Sequence, residues 1–383
     1  MPSLSIRCTL KILALYPGLN PAFDEVAYAL PPLIAHGCQV RVITSQVSAL
    51  KSSELGNTFE DFGGVEIYRS YADPWKMIAL DPASTAEVQR LVAEFQPDLF
   101  LVNSPHCLPL LRLLRRHHWL PAVLRLESAD PLTLVRRRNY LGFPPLGRVV
   151  GRGYWNRYAR EVEAIMVNDP PDLHHLVRLG RPDCPVYYAA HCAQQPAGVA
   201  LAASRDMGQM IYIGSLIRHK NCDAWLRNVP VILEQTPTER FTVIGRGPFQ
   251  HVLDTLKQRY GARIEHITGV TRVEALQRLS GAGFAYTEAT TGWGFLCDAW
   301  STNTPVLCPQ STFGVVPGWT GMMPQTPAAL AKTVRRLYDD PDYYQTLQQG
   351  GATRYQSEHV AEVVARQYLQ ILREVAAAGG RAA

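Results

Sequence analysis

Short apolar runs of strand length recur along this 383-residue chain, each followed by a segment of helical periodicity, and no other feature restricts the fold as much. Residues 10–16 (LKILALY) are nearly continuous in apolar character, and 40–44, 65–68, 98–102, 122–126, 164–167 and 185–188 repeat the theme. Helical spacing is expected over 27–34, closed by Gly37, and over 87–95, where Val88, Leu91, Val92 and Phe95 share one face. Strands that are apolar on both sides belong to parallel sheets covered by helices on each face, so the alternation predicts a Rossmann-like layer structure. No G-x-G-x-x-G follows the first run, which disfavours a nicotinamide site.

The texture changes after His191. Residues 193–208 (AQQPAGVALAASRDMG) show no amphipathic period and read as a linker. A second alternating series begins at 210–214. It continues through strands at 241–244 and 264–268, a helix carrying Phe249, Val252, Leu253, Leu256 and Tyr260, and closing helices at 328–338 and 360–375. The expected organisation is α/β, with two Rossmann-like domains (1–192 and 209–383) facing across a cleft and the last helix packing back on the first domain. A chain of this length exceeds one ordinary core, which agrees with two.

Charge and cysteine usage narrow the partners. Eleven arginines lie between positions 112 and 160 against Glu127 and Asp130, a local balance of +9 in a chain of net charge +5. Such a face suits an anionic partner: nucleic acid, a phosphorylated glycan or an anionic lipid surface. The interleaved Tyr140, Phe143, Tyr154, Trp155 and Tyr158 add stacking surface of the kind that nucleic acid uses, while a solvated arginine-rich surface is the plain alternative. Eight cysteines without a C-x-x-C pair or a Cys/His cluster read as reduced structural thiols of a cytoplasmic protein with no metal site. The first apolar run is too short for a signal peptide and contains Lys11. No run approaches the span of a bilayer, so membrane contact is expected to be peripheral, at the inner face.

One stretch concentrates the chemistry. Residues 281–307 (GAGFAYTEATTGWGFLCDAWSTNTPVL) run from a strand through a loop containing Gly292 and Gly294 into a helix, then into a strand starting at Pro305. Strand, glycine loop and helix N-terminus together present backbone N–H groups and a positive helix end to an anion, and glycine lets the ligand approach the main chain. An ordinary strand-to-helix turn is the alternative reading.

Four segments in order carry a family resemblance: GSLIRHKN at 214–221, VIGRGP at 243–248, ITG at 267–269, and GWG at 292–294 leading to DAWSTNTP at 298–305. They resemble the donor-binding half of GT-B glycosyltransferases, in particular the large retaining family that includes sucrose synthases, mannosyltransferases and bacterial surface-polysaccharide enzymes. The first half resembles that family's acceptor domain in layout alone. The resemblance implies metal-independent, retaining transfer of a hexose from a UDP- or GDP-linked donor, with no further cofactor, to an acceptor held by the arginine-rich first domain.

It also implies roles for individual residues. Lys220, with Arg218 or Arg246 in support, would neutralise the leaving diphosphate, since Ser215 stands where the family has arginine. Gly214, Gly247 and Gly269 are the close-approach glycines, Gly18 is the small residue after the first strand, and Gly292, Trp293, Gly294 and Phe295 would offer main-chain N–H groups. Asp298 takes the second carboxylate position of the family's E-x7-E and would accept from the ribose hydroxyls, or simply cap its helix. The first carboxylate is missing: the matching position is Thr290 or Thr291, and Glu288 is the nearest substitute. Glu127 stands where the family has a histidine near the donor sugar, to steady the anomeric carbon or take the acceptor proton, or to pair with Arg125. His106 also follows an apolar strand. Two further readings stay open: glycosylation of a hydroxylated DNA base, and a catalytically silent nucleotide-sugar binder.

Overall fold

The computed structural model describes residues 9–21, 24–47, 57–126, 153, 156–168, 184–193, 195, 198–289, 292–309 and 314–379. The chain divides into two compact units, residues 1–192 with 361–383, and residues 193–360.

The first unit is built on an eight-stranded sheet: β1 (Lys11–Leu15), β2 (Gln39–Ser45), β3 (Phe59–Phe62), β4 (Val65–Tyr71), β5 (Leu99–Val102), β6 (Ala122–Leu126), β7 (Ala164–Val167) and β8 (Val186–Tyr188), in the order β3-β4-β2-β1-β5-β6-β7-β8. Every neighbouring pair is parallel except β3 with β4. The two-residue period of a strand explains why β1 is apolar throughout. Ile12 and Ala14 face a core shared with Leu30, Leu33 and the helix Ala361–Gly379, through Val364, Tyr368 and Leu372. Leu13 and Leu15 face the opposite core, shared with the helices Pro82–Phe95 and Leu108–Arg115.

The second unit carries a five-stranded sheet of β9 (Asp206–Ile213), β10 (Arg240–Ile244), β11 (Ile264–Ile267), β12 (Ala282–Tyr286) and β13 (Val306–Leu307), ordered β11-β10-β9-β12-β13 and parallel throughout. One face packs Met210, Tyr212, Phe241 and Phe284 against the helices Trp225–Gln235, Gln250–Tyr260 and Pro327–Asp339. The other packs Ile211, Ala285 and Val306 against Arg272–Gly281 and Trp293–Ser301. Two parallel-dominated, Rossmann-like α/β units are therefore present, as the alternation predicts.

Local departures have local causes. The helix expected over 27–34 is a 3-10 turn, Glu25–Ala29, followed by the short helix Pro31–Ala35. The adjacent Pro31 and Pro32 lack the N–H groups an uninterrupted helix needs, and proline is accepted only in a first turn. The stretch read as a linker ends early, because β9 begins at Asp206 and pairs with β10 and β12. Pro74–Ala79 and Leu108–Arg115 are helices that the apolar pattern does not announce. Both open on a proline in the first turn, and Pro74–Ala79 is capped by Asp73.

Candidate functional site

Strand order locates the site. In the second sheet the chain passes from β9 outward to β10 and β11, then returns to the other side of β9 to lay down β12 and β13, so the order reverses between β9 and β12. Loops leaving the carboxyl ends of strands at such a reversal diverge and open a crevice for a ligand. Here those loops are 214–220 and the connection from β12 to the helix Trp293–Ser301, described at 287–289 and 292.

Glycine makes the first of them possible. Gly214 N–H donates to the Ile244 carbonyl at 2.9 Å, Leu216 N–H to Arg246 at 3.0 Å and Gly245 N–H to Ile267 at 3.1 Å, so the loops after β9, β10 and β11 are stitched main chain to main chain. Gly245 (φ +149°) and Gly247 (φ +156°) sit so close to their neighbours that a Cβ would lie 1.9 Å from the Gly214 carbonyl oxygen and 2.4 Å from that of Leu216. No side chain fits either place.

The loops after β9 and β12 meet at Lys220. Its Nζ lies 3.9 Å from the position a Cβ on Gly292 would occupy, which puts the ammonium beside the turn that opens the helix Trp293–Ser301. Gly292 is the N-cap, and no side chain caps the helix, so its first N–H groups are left to another acceptor. A cation and a helix N-terminus converging on one turn favour a multiply charged anion.

Trp293 fixes that turn by its side chain and leaves its main chain to the ligand. The indole is buried, 5.1 Å from the ring of His359 and 6.4 Å from that of Trp300. The Arg354 guanidinium lies 5.7 Å from the Trp293 ring and 5.5 Å from that of Trp300 while donating to the Gly314 carbonyl. Gly314 has φ +91°, and a Cβ there would strike the indole at 2.5 Å. Phe295 packs 5.4 Å from Tyr212, and Gly294 is partly buried beside it.

The remaining residues fall into three groups. Ser215, Arg218, Arg246 and Gly269 are exposed on loops at the same carboxyl edge, Arg218 opening the 3-10 turn Arg218–Lys220. Asp298 is buried and gripped by Arg272, Nη2 at 2.7 Å and Nη1 at 3.3 Å. Glu288 is 0% exposed, accepting from Asn228 Nδ2 at 2.7 Å and from the Tyr286 hydroxyl. Burial, reinforced by that carboxylate, pushes the Tyr286 hydroxyl well above its ordinary range, so it remains a donor. Glu288 thus braces the loop from inside the unit and is not exposed to solvent as the sequence allows. Glu127, Thr290 and Thr291 lie outside the described residues.

Arg272 and Arg354 escape a motif search. Arg272 had one available signal: Thr271 and Glu274 form a capping box, which places Arg272 at the first helical position after the Gly269 loop.

In the first unit the sheet order reverses between β1 and β5, and Gly18 and Asn20 lie just past β1. Leu19 N–H donates to Thr44 Oγ1 at 2.9 Å, and Asn103, just past β5, accepts from the buried Arg125 at 2.6 Å. Asn168, just past β7, is buried with Nδ2 3.3 Å from His191 Nδ1. His106 is exposed and bonds Ser104 Oγ at 2.9 Å. The arginine-rich face is less basic than a count of 112–160 suggests. Arg112 pairs with Glu161 at 2.6 Å, Arg157 reaches the same carboxylate at 3.5 Å, and Arg115 pairs with Glu163, two acids just past that window. Tyr140, Phe143, Tyr154, Trp155 and the arginines at 136, 137, 138, 148 and 152 lie outside the described residues.

Among the described residues no cluster of three His, Cys, Asp or Glu side chains is placed to hold a metal ion, and no helix is long and apolar enough to cross a membrane. The seven described cysteines are buried free thiols.

Comparison with known proteins agrees with this geometry. Residues 18–188 match the family described as "Glycosyl transferase 4-like domain". No curated protein sequence matches the chain. Among solved structures, sucrose-phosphate synthase from Thermosynechococcus elongatus superposes with TM-score 0.74 at 18% identity over 96% of this chain and 100% of that one. HepE of Anabaena, solved with UDP-glucose, gives 0.67 at 14% identity over 95% and 100%. A UDP-forming α,α-trehalose-phosphate synthase from Burkholderia xenovorans gives 0.64 at 12% identity over 96% and 99%. Residues 18–188 thus resemble a glycosyl transferase 4-like domain, and nearly the whole chain shares the two-unit Rossmann-like fold of these enzymes.

Proposed function

We propose that the chain transfers a hexose from a nucleoside diphosphate donor, with retention of configuration and without a metal ion, to an acceptor held by the first unit. The observation that carries the reading is the approach of Lys220 to the Gly292 turn at the strand-order reversal of the second sheet. Cleaving the sugar–diphosphate bond leaves negative charge on the diphosphate as the sugar becomes oxocarbenium-like. A preorganised cation and unpaired helix N–H groups stabilise that charge where it develops. Lys220 and the main chain of 292–295 fill this role, with Arg218 two residues before Lys220 and Arg246 on the loop after β10. HepE of Anabaena is solved in complex with UDP and with UDP-glucose, which makes UDP-glucose the first donor to try.

The acceptor reading rests on the polar row past β1, β5 and β7, namely Asn20, Asn103 and Asn168 with His191, groups suited to sugar hydroxyls. The pairing of Arg112, Arg115 and Arg157 with Glu161 and Glu163 takes weight from a nucleic-acid acceptor. Incubation with UDP-glucose, GDP-mannose and UDP-N-acetylglucosamine, following nucleoside diphosphate release with and without EDTA, tests the proposal. Release from one donor, insensitive to EDTA, is the expected result. Absence of binding and release across the panel overturns it.

A further inference from the structure

Tryptophan is seldom left in water, yet Trp75 is 75% exposed, more than any other large apolar side chain among the described residues. It stands on the six-residue helix Pro74–Ala79, which starts just past β4 and so lies at the carboxyl edge of the first sheet. A helix so short is marginal by itself, and this one is held at three points. Asp73 Oδ1 accepts from Lys76 N–H at 2.8 Å, Asp81 N–H closes the other end on the Lys76 carbonyl at 3.0 Å, and the Met77 sulfur accepts from the Cys107 thiol at 3.8 Å. The last contact fastens the helix to the 3-10 turn Pro105–Cys107 after β5, which carries the exposed His106. His106 bonds Ser104 Oγ through Nδ1 at 2.9 Å and leaves Nε2 for another partner. A firmly based indole thus stands in solvent on the element next to this imidazole.

We propose that Trp75 is a stacking platform for a pyranose ring of an oligosaccharide acceptor, with His106 bonding the sugar's hydroxyls. The assignment rests on the acceptor reading above. A pyranose has a C–H face that lies on an aromatic ring and a rim of hydroxyls that needs donors and acceptors, and this edge offers both. Size argues against a larger occupant: one indole presents at most about 250 Å², against about 1,200 Å² for a stable protein interface. Charge argues against an anionic bilayer, since Lys76 is the helix's one cation and Asp73 and Asp81 flank it. Two strand spacings, about 10 Å, separate β4 from β1, where the order of the sheet reverses. A ring on Trp75 is therefore a neighbour of the ring that reacts, and the acceptor carries more than one sugar.

Fluorine NMR of the full-length protein labelled with 5-fluorotryptophan, with and without UDP, tests this; the Trp75 line is identified by its loss in Trp75→Phe. Maltotriose, cellotriose, chitotriose and glucose are the probes. One trisaccharide is expected to move the Trp75 line, with glucose binding roughly tenfold more weakly. Calorimetry with that trisaccharide should show binding weakened about tenfold in Trp75→Ala, the effect of uncovering one indole face, and within about threefold of wild type in Trp75→Tyr, which keeps an aromatic face. Trp119, 53% exposed at the opposite edge before β6, is the control, and Trp119→Ala should bind as wild type does. A Trp75 line that no trisaccharide moves, a Trp75→Ala protein that binds as tightly as wild type, or a line moved by phosphatidylglycerol vesicles and not by sugar overturns the proposal. Nucleoside diphosphate release from the donor panel is read separately. Release without a trisaccharide effect at Trp75 overturns the platform alone, whereas a trisaccharide site without release from any donor refutes the transfer reading and leaves the platform standing.

Discussion

Gly245→Ala tests whether the stitched glycine loops hold the site. The new Cβ would start 1.9 Å from the Gly214 carbonyl oxygen and 2.9 Å from its carbonyl carbon, backbone atoms with no rotamer to give. Ordinary contact begins at 3.4 Å, so the loop after β9 must retreat by about 1.5 Å. Retreat breaks the bonds from Gly214 to Ile244 and from Leu216 to Arg246, each contributing about 1 kcal/mol. An alanine at φ +149° adds strain of about 1–3 kcal/mol. Together these give about 3–5 kcal/mol, or roughly 10 °C in melting temperature for a unit of this size. The same movement carries Lys220 away from the Gly292 turn, and a misplacement of about 1 Å at a reacting centre costs on the order of 100-fold in rate. Thermal denaturation and nucleoside diphosphate release from the preferred donor measure the two effects. Gly261→Ala is the control: φ is +57° but nothing lies within 4 Å of the added carbon, so backbone strain of about 1–3 kcal/mol is expected with turnover unchanged. A Gly245→Ala protein that melts and turns over within twofold of wild type would refute the reasoning.

Other perturbations separate chemistry from scaffold. Lys220→Ala is expected to lower kcat by about 100- to 1000-fold with a small change in melting temperature, because the side chain is partly exposed, as steady-state kinetics and calorimetry will show. Trp293→Ala removes a buried indole and should cost about 3–5 kcal/mol in denaturant unfolding, with donor affinity falling alongside because the anion turn loses its anchor. Hydrogen bonds from the Thr271 backbone and hydroxyl hold the Glu274 carboxyl below its ordinary value of 4.5. The linked stability is therefore present above the ordinary glutamate range and lost as pH falls through the lowered folded-state value. Thermal melts from pH 6 to pH 3 should show Glu274→Gln narrowing the acid-side loss relative to wild type.

Much of the fold was legible because it depends on neighbours in sequence. The near-continuous apolar character of 11–15 and 99–102 follows from burial on both faces of a parallel sheet, and such runs identify themselves. The glycines of 245 and 247 were legible for a related reason: a backbone that must approach another backbone admits no Cβ, so the residue type is forced. Harder to read were the helices that open on proline, where the breaker of one segment is the first turn of the next.

The charged side chains behaved differently. Arg112 and Arg115 belong to a basic face when only near neighbours are counted, because the acids that meet them stand 49 and 48 residues away, just before β7. Glu288 looked available to a sugar, yet Asn228, 60 residues earlier, turns its carboxylate inward. Asp298 was recognisable as a motif position, but its partner Arg272 lies 26 residues upstream on a separate helix. The amino-acid sequence by itself thus determined the strands, the glycine turns and the order of the landmarks, since periodicity and steric exclusion act over a few residues. Which cation met which carboxylate was decided only when helices packed side by side, because Coulomb attraction and desolvation act between groups that the folded chain, and no local pattern, brings together.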